Sequence, residues 1–191
     1  MSEPTYADPG YFERLYAKDP DPWRFATSDY ERGKYAATLA ALPPGRYGNA
    51  FEIGCSIGVL TRQLAASCDE LLAVDIAQIA LEQAEARCED QPWVHFAVMD
   101  VRSTWPEGRF DLILFSEVLY YLGIGGIREA AQRTLAGLAP GGAVMLVNWH
   151  GPTDGACTGD EAADLFIAEA RPRLSPMTQN RAEQYRIDVL R

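Results

Sequence analysis

From residue 49 onward, short apolar runs alternate with stretches of helical periodicity. Ala50–Ile53 precedes Val59–Ala66, and Leu71–Val74 precedes Ala77–Cys88. Val94–Val98 stands before Phe110–Phe115, which is followed by Ile127–Leu138 and then by Ala143–Asn148. Leu71–Val74 and Phe110–Phe115 are continuously apolar, as expected of strands covered on both faces by helices. The alternation predicts right-handed βαβ units and a doubly wound, Rossmann-like α/β sheet, mostly parallel. Pro140-Gly141-Gly142 is expected to break the helix Ile127–Leu138 before the fifth strand. Farther on, Thr158-Gly159-Asp160 caps a predicted helix over Glu161–Ala170. In Gln184–Leu190, Tyr185, Ile187 and Val189 alternate with polar residues, the period of a half-exposed strand. Leu174–Thr178 is its expected antiparallel hairpin partner.

Residues 1–47 have another texture, polar and aromatic, with Pro4, Pro9, Pro20, Pro22, Pro43 and Pro44. Short helices are predicted for Tyr11 to Tyr16 and Ser28 to Leu42, the second stopped by Pro43-Pro44-Gly45. The chain is thus read as a helical preamble, 1–47, packed as a lid on a core, 48–191, in a single domain.

Composition narrows the picture. At 191 residues, 48% hydrophobic and 23% charged, the chain supports one globular core and is not disordered. No apolar run approaches the roughly 18–20 residues of a membrane span. The start MSEPTYADPG lacks a basic and an apolar region of a secretory signal. Cys55, Cys68, Cys88 and Cys157 form no CxxC pair, so reduced thiols and a cytoplasmic location are expected. His95 and His150, the two histidines, are too far apart to suggest a metal site. A net charge of −10 repels phosphate backbones, which points away from nucleic acid and toward a small-molecule substrate. The expected assembly is a monomer or homodimer.

In open α/β sheets, ligands sit beyond the carboxyl ends of the strands. Strand one ends in Phe51-Glu52-Ile53-Gly54, strand two at Val74-Asp75, strand three at Met99-Asp100 and strand four at Ser116-Glu117. One acid capping a following helix is commonplace; a carboxylate at each of four tips suits a nucleoside that also carries positive charge. In the first turn, Gly54 permits the tight bend and Gly58 lets the helix begin close to ligand and sheet. Asp75 follows Gly54 by 21 residues, near the spacing of about 20 for a ribose-binding acid. The dinucleotide pattern G-x-G-x-x-G is not met, because its third place is Ser56 and its sixth is Val59. Glu52 would repel a pyrophosphate but favour an ammonium and a sulfonium. The cofactor expected is therefore S-adenosylmethionine, not NAD.

These residues carry a family resemblance. FEIGCSIGVLTRQLA, AVDI, MDV, FDLILFSEVLYYL and LAPGGAVMLVNW resemble a class I methyltransferase from residue 49 to 150. DPWRFATSDYERGKY together with SEVLYYL is similar to the nodulation protein S group, which contains methyltransferases, one acting on the free amine of a deacetylated chitooligosaccharide. The resemblance implies that Gly54, Cys55 and Gly58 line the methionine part of the cofactor and that Asp75 holds the ribose hydroxyls. It implies that Asp100, after Met99, meets the adenine amino group between Ile76 and Val101. Trp23 and Arg32 would close over the cofactor, Arg32 pairing with its carboxylate. Ser56 departs from the middle glycine usual in the class.

Methyl transfer is an in-line displacement, so the site must align a lone pair with the methyl group and exclude water. An amine acceptor must be neutral to react, and a nearby proton acceptor helps. Glu117 is the candidate ligand or base for that amine, with a cofactor contact or a helix-start carboxylate as the structural alternative. Tyr120 and Tyr121 are candidates for the acceptor pocket, with at least one of them reading better as a core aromatic. His150 is a candidate general base, Trp149 a candidate wall, and His95 is expected to be packed within its strand. The Asn/Asp-Pro-Pro-Tyr signature of DNA amino-methyltransferases is absent after strand four, and no metal-binding acid cluster stands out. N-methylation of an amine such as an amino sugar leads; O-methylation of a hydroxylated metabolite and a non-catalytic cofactor-binding subunit are the alternatives.

Overall fold

A computed structural model describes residues 10–171 and 173–191; Pro4, Pro9 and the rest of the first nine residues of the preamble lie outside it. Seven strands form one sheet: β1 (Ala50–Ile53), β2 (Leu71–Asp75), β3 (Val94–Val98), β4 (Phe110–Ser116), β5 (Leu138–Trp149), β6 (Pro176–Arg181) and β7 (Tyr185–Leu190). Their order is β3-β2-β1-β4-β5-β7-β6, with β1 to β5 parallel and β7 antiparallel to both neighbours. This is the expected doubly wound sheet with a C-terminal antiparallel hairpin.

Among the described residues six α-helices accompany it: α1 (Tyr11–Lys18), α2 (Asp29–Ala41), α3 (Val59–Leu64), α4 (Gln78–Arg87), α5 (Gly123–Gly137) and α6 (Gly159–Ala170). Alternation along the strands sorts the core. Phe51, Ile53, Ile113, Phe115, Val144 and Leu146 pack under α5 and α6, whereas Ala50, Leu112, Leu114, Met145 and Val147 face α2 and α3. Ser28 caps α2 by accepting from the Glu31 N–H, and Thr158 with Glu161 forms a capping box on α6. The preamble is tied to this core: Glu13 of α1 accepts from the Gln78 N–H that opens α4, at 2.5 Å. Among the described residues no helix is long and apolar enough to cross a membrane.

Three expectations are corrected. Pro140-Gly141-Gly142 falls within the span of β5, where the register jumps from Phe110↔Leu138 to Leu112↔Ala143 and so absorbs the kink. β7 is not half-exposed: Arg186 and Asp188 are 6% and 0% exposed, since both faces of this inner strand are covered. Their charges are satisfied by each other at 2.6 Å and by Asp164 of α6, 2.7 Å from Arg186. His95 is exposed rather than packed, because β3 is an edge strand, and its ring meets Glu70 at 2.8 Å.

Candidate active site

The carboxyl ends of the parallel strands open on a cavity of about 520 Å³, a size suited to a small-molecule site. Its floor is the turn after β1. Gly54 (φ 83°) has no room for a side chain, since a Cβ would lie 2.7 Å from the Ser116 carbonyl oxygen. Ser56, at φ 50°, is a non-glycine residue in the left-handed region, and two contacts hold it there. Its N–H donates to Asp75 at 2.9 Å, and its hydroxyl is hydrogen-bonded to the Tyr16 hydroxyl of α1. The second Asp75 oxygen accepts from the Ala77 N–H at 3.0 Å. Burial pushes the Asp75 carboxyl up, and these backbone donors oppose that shift. With the Ser56 amide engaged by a carboxylate, the turn does not present it to a pyrophosphate.

One half of the cavity is walled by Ile76, Met99 and Val101. Asp100 lies beside them, gripped by Arg102 at 2.7 and 2.9 Å, and this guanidinium holds its carboxyl below the usual range. Trp23 also lines the cavity, stacked on Phe25 at 5.4 Å and edge-on to Tyr16 at 5.8 Å.

The other half centres on Glu117, whose backbone is also left-handed at φ 56° and whose N–H donates to the Val147 carbonyl at 2.9 Å. Its carboxylate accepts from the Lys34 ammonium (2.7 Å), the Tyr120 hydroxyl (3.0 Å) and the Trp149 N–H (2.5 Å). Lys34 also meets Glu31 at 2.9 Å and stands 5.5 Å above the Tyr30 ring. Burial alone would lower the Lys34 pKa, but Glu117 and Glu31 outweigh it and raise the value, so the ammonium stays charged. Burial, reinforced by Glu117, pushes the Tyr120 hydroxyl well up, so it is a donor and not an anion.

The structure thus gathers Trp23, Gly54, Ser56, Asp75, Ile76, Met99, Asp100, Val101, Glu117, Tyr120 and Tyr121 around one cavity, with Trp149 as a wall. Five expected residues fall elsewhere. Arg32 is 70% exposed and paired with Asp29, because the inward face of α2 is set by Glu31, Lys34, Tyr35 and Thr38. Glu52 alternates away from Ile53 and lies fully buried on the opposite face of β1, by a second cavity of about 30 Å³. Cys55 packs against Ala73 and Leu81 instead of lining the main cavity. Gly58 serves α4: a Cβ there would sit 2.9 Å from Ala84. His150 does not line the cavity; its ring bonds the Ala182 carbonyl at 3.1 Å and lies 3.8 Å from Asp160.

Sequence reasoning missed Lys34, Glu31, Tyr16 and Arg102. Lys34 and Glu117 are 83 residues apart, so no local motif joins them. Glu31, Lys34, Tyr35 and Thr38 do share helical spacing, which was the available sign that this charged face is buried.

Known proteins resemble this chain in sequence and in fold. The family model described as Nodulation protein S (NodS) matches residues 12–168. Nodulation protein S of Rhizobium tropici is 39% identical over 128 residues, 66% of this chain and 54% of that protein. Phosphoethanolamine N-methyltransferase 1 of Arabidopsis thaliana is 28% identical over 122 residues, 62% of this chain and 25% of that protein. The crystal structure of N-methyltransferase NodS from Bradyrhizobium japonicum WM9 in complex with S-adenosyl-l-homocysteine superposes with a TM-score of 0.80. That match has 26% identity and covers 99% of this chain and 98% of the other. The chain spans 54–62% of the length of three curated nodulation S relatives.

Proposed function

Because this chain belongs to the nodulation protein S family, we propose that it is an S-adenosylmethionine-dependent methyltransferase acting on the nitrogen of a small amine. The observation that carries the amine is the Lys34 ammonium, held 2.7 Å from Glu117 at the tip of β4. The site already stabilises a charged nitrogen with carboxylates and an aromatic face.

The cofactor fits the residues present. Asp75 retains lone pairs beyond its two backbone donors for ribose hydroxyls, and Ile76, Met99 and Val101 offer apolar faces to a purine ring. Asp100 can accept from the exocyclic amine, and the Gly54–Ser56 turn admits the methionine part close to backbone. When bound, S-adenosylmethionine supplies an electrophilic methyl group on sulfur.

The protein's part is alignment and proton handling. Glu117, fixed by three donors, keeps one oxygen lone pair for an acceptor N–H. Tyr120 and Trp149 lock the carboxylate in one orientation, which restricts the acceptor to one approach. The acceptor nitrogen reacts neutral and carries an extra proton afterwards; Glu117 is the group placed to take one. An amino sugar remains the substrate class suggested by the family likeness, and cytoplasmic residence is part of the same reading.

Calorimetric titration with S-adenosylmethionine, S-adenosylhomocysteine and NAD tests the premise. Micromolar binding of the two sulfur nucleosides, and none of NAD, is expected. Asp75→Ala should weaken both by at least tenfold, about 1.4 kcal/mol. NAD binding alone, or unchanged affinity in Asp75→Ala, would remove the assignment.

A further inference from the structure

The cavity has a marked charge asymmetry. Five carboxylates line it (Glu31, Asp75, Asp100, Glu117 and Asp154) against two cations, Lys34 and Arg102, a formal −3. Arg102 is bound to Asp100, and Lys34 to Glu31 and Glu117. On the acceptor side, no described lining residue offers a cation for an anionic group.

Asp154 stands at the outer rim of that side, on the loop after β5. The loop is anchored to the pocket, since the Ala156 N–H donates to the Tyr120 carbonyl at 2.9 Å. A Cβ on Gly155 would lie 2.3 Å from the same oxygen, so only glycine fits there. Burial and then the nearby charge of Asp154 raise the Tyr11 hydroxyl pKa, and burial with the charges of Asp154 and Glu117 among its further causes raises that of Tyr121. Phe12 is edge-on to Tyr121 at 5.1 Å. Glu117, Tyr120, Tyr121, Phe12 and Asp154 thus all line the one cavity.

Resting on the methyltransferase reading above, we propose that Asp154 is a specificity residue that selects cationic acceptors with a second positive or hydrogen-bond-donating group, and rejects phosphorylated amines. Asp154 is exposed, so its effect is electrostatic and weakens with salt. Among the described lining residues no cation beyond Lys34 and Arg102 stands by to neutralise a phosphate brought to the rim, whereas a distal ammonium or hydroxyl gains a partner.

The experiment compares 1,3-diaminopropane, ethanolamine and phosphoethanolamine as acceptors, in the wild type, Asp154→Asn and Asp154→Lys, with S-adenosylmethionine affinity measured on each. Diaminopropane and ethanolamine should exceed phosphoethanolamine in kcat/KM by at least about tenfold at low salt. That ratio should shrink in Asp154→Asn, shrink further in Asp154→Lys and narrow in 0.5 M NaCl (an order-of-magnitude salt step), while cofactor affinity stays constant. Equal use of phosphoethanolamine, an unchanged ratio in Asp154→Lys, or no methylation of any probe by a protein that binds the cofactor would overturn the proposal. Loss of cofactor binding in the wild type would instead strike the methyltransferase reading beneath it.

Discussion

Glu117 and Lys34 illustrate how one pair can serve packing and chemistry together. Removing one partner of a buried ion pair leaves the other charge uncompensated. Glu117→Gln should therefore lower unfolding free energy by about 2 kcal/mol, read by urea denaturation. It should also depress kcat at least tenfold with little change in cofactor affinity; turnover equal to wild type would end its proposed role. Glu52 gives a pH prediction. Burial, opposed in part by the Thr61 hydroxyl, pushes its carboxyl from 4.5 to about 7. The folded state thus prefers the neutral acid, so its contribution is intact below pH 4.5 and is lost as pH rises to about 7. Glu52→Gln should match wild type in stability near pH 4 and exceed it at pH 8 by as much as roughly 3 kcal/mol. A constant difference across that range would show that Glu52 does not titrate there. At this scale, Asp75, Asp100 and Glu117 were legible because a strand tip fixes where a side chain goes. Arg32 and Glu52 were misplaced because helical phase and strand alternation, not charge, decide which way a residue faces.

At the scale of elements, the turn after β1 is shaped by neighbours as much as by ligand. Gly58 combines φ 77° with an Ala84 contact that a Cβ would bring to 2.9 Å. Gly58→Ala should cost about 2 kcal/mol through strain and displacement of α4, a fall of roughly 4–8 °C in melting temperature. Thr158→Ala removes the capping box of α6 and should cost about 1 kcal/mol, read in the same melting scan. A melting temperature unchanged in either variant would mean that the local geometry is relaxed elsewhere. Most elements could be read from periodicity, since continuous apolar runs and helical spacing are strong signals. β7 escaped because a strand whose polar residues are paired and covered has the same alternation as one facing water.

Across the whole molecule, a net charge of −10 surrounds a cavity that is itself acidic. Such a field draws cationic ligands inward and is screened by salt. KM for a cationic acceptor should rise several-fold between about 20 and 300 mM NaCl, where the Debye length falls below 10 Å. Insensitivity of KM to salt would place recognition wholly in short-range contacts. The order of the sheet has a temporal consequence as well. Strands β1 to β4, which carry the cavity's turn and acids, precede β7 in the chain, yet β5 gains its outer neighbour only when β7 arrives. During synthesis, the nascent chain therefore passes through a stage in which Val144–Trp149 presents an unpaired apolar edge. Premature termination before residue 185 would leave that edge uncovered, and the expected product aggregates rather than folding as a smaller domain.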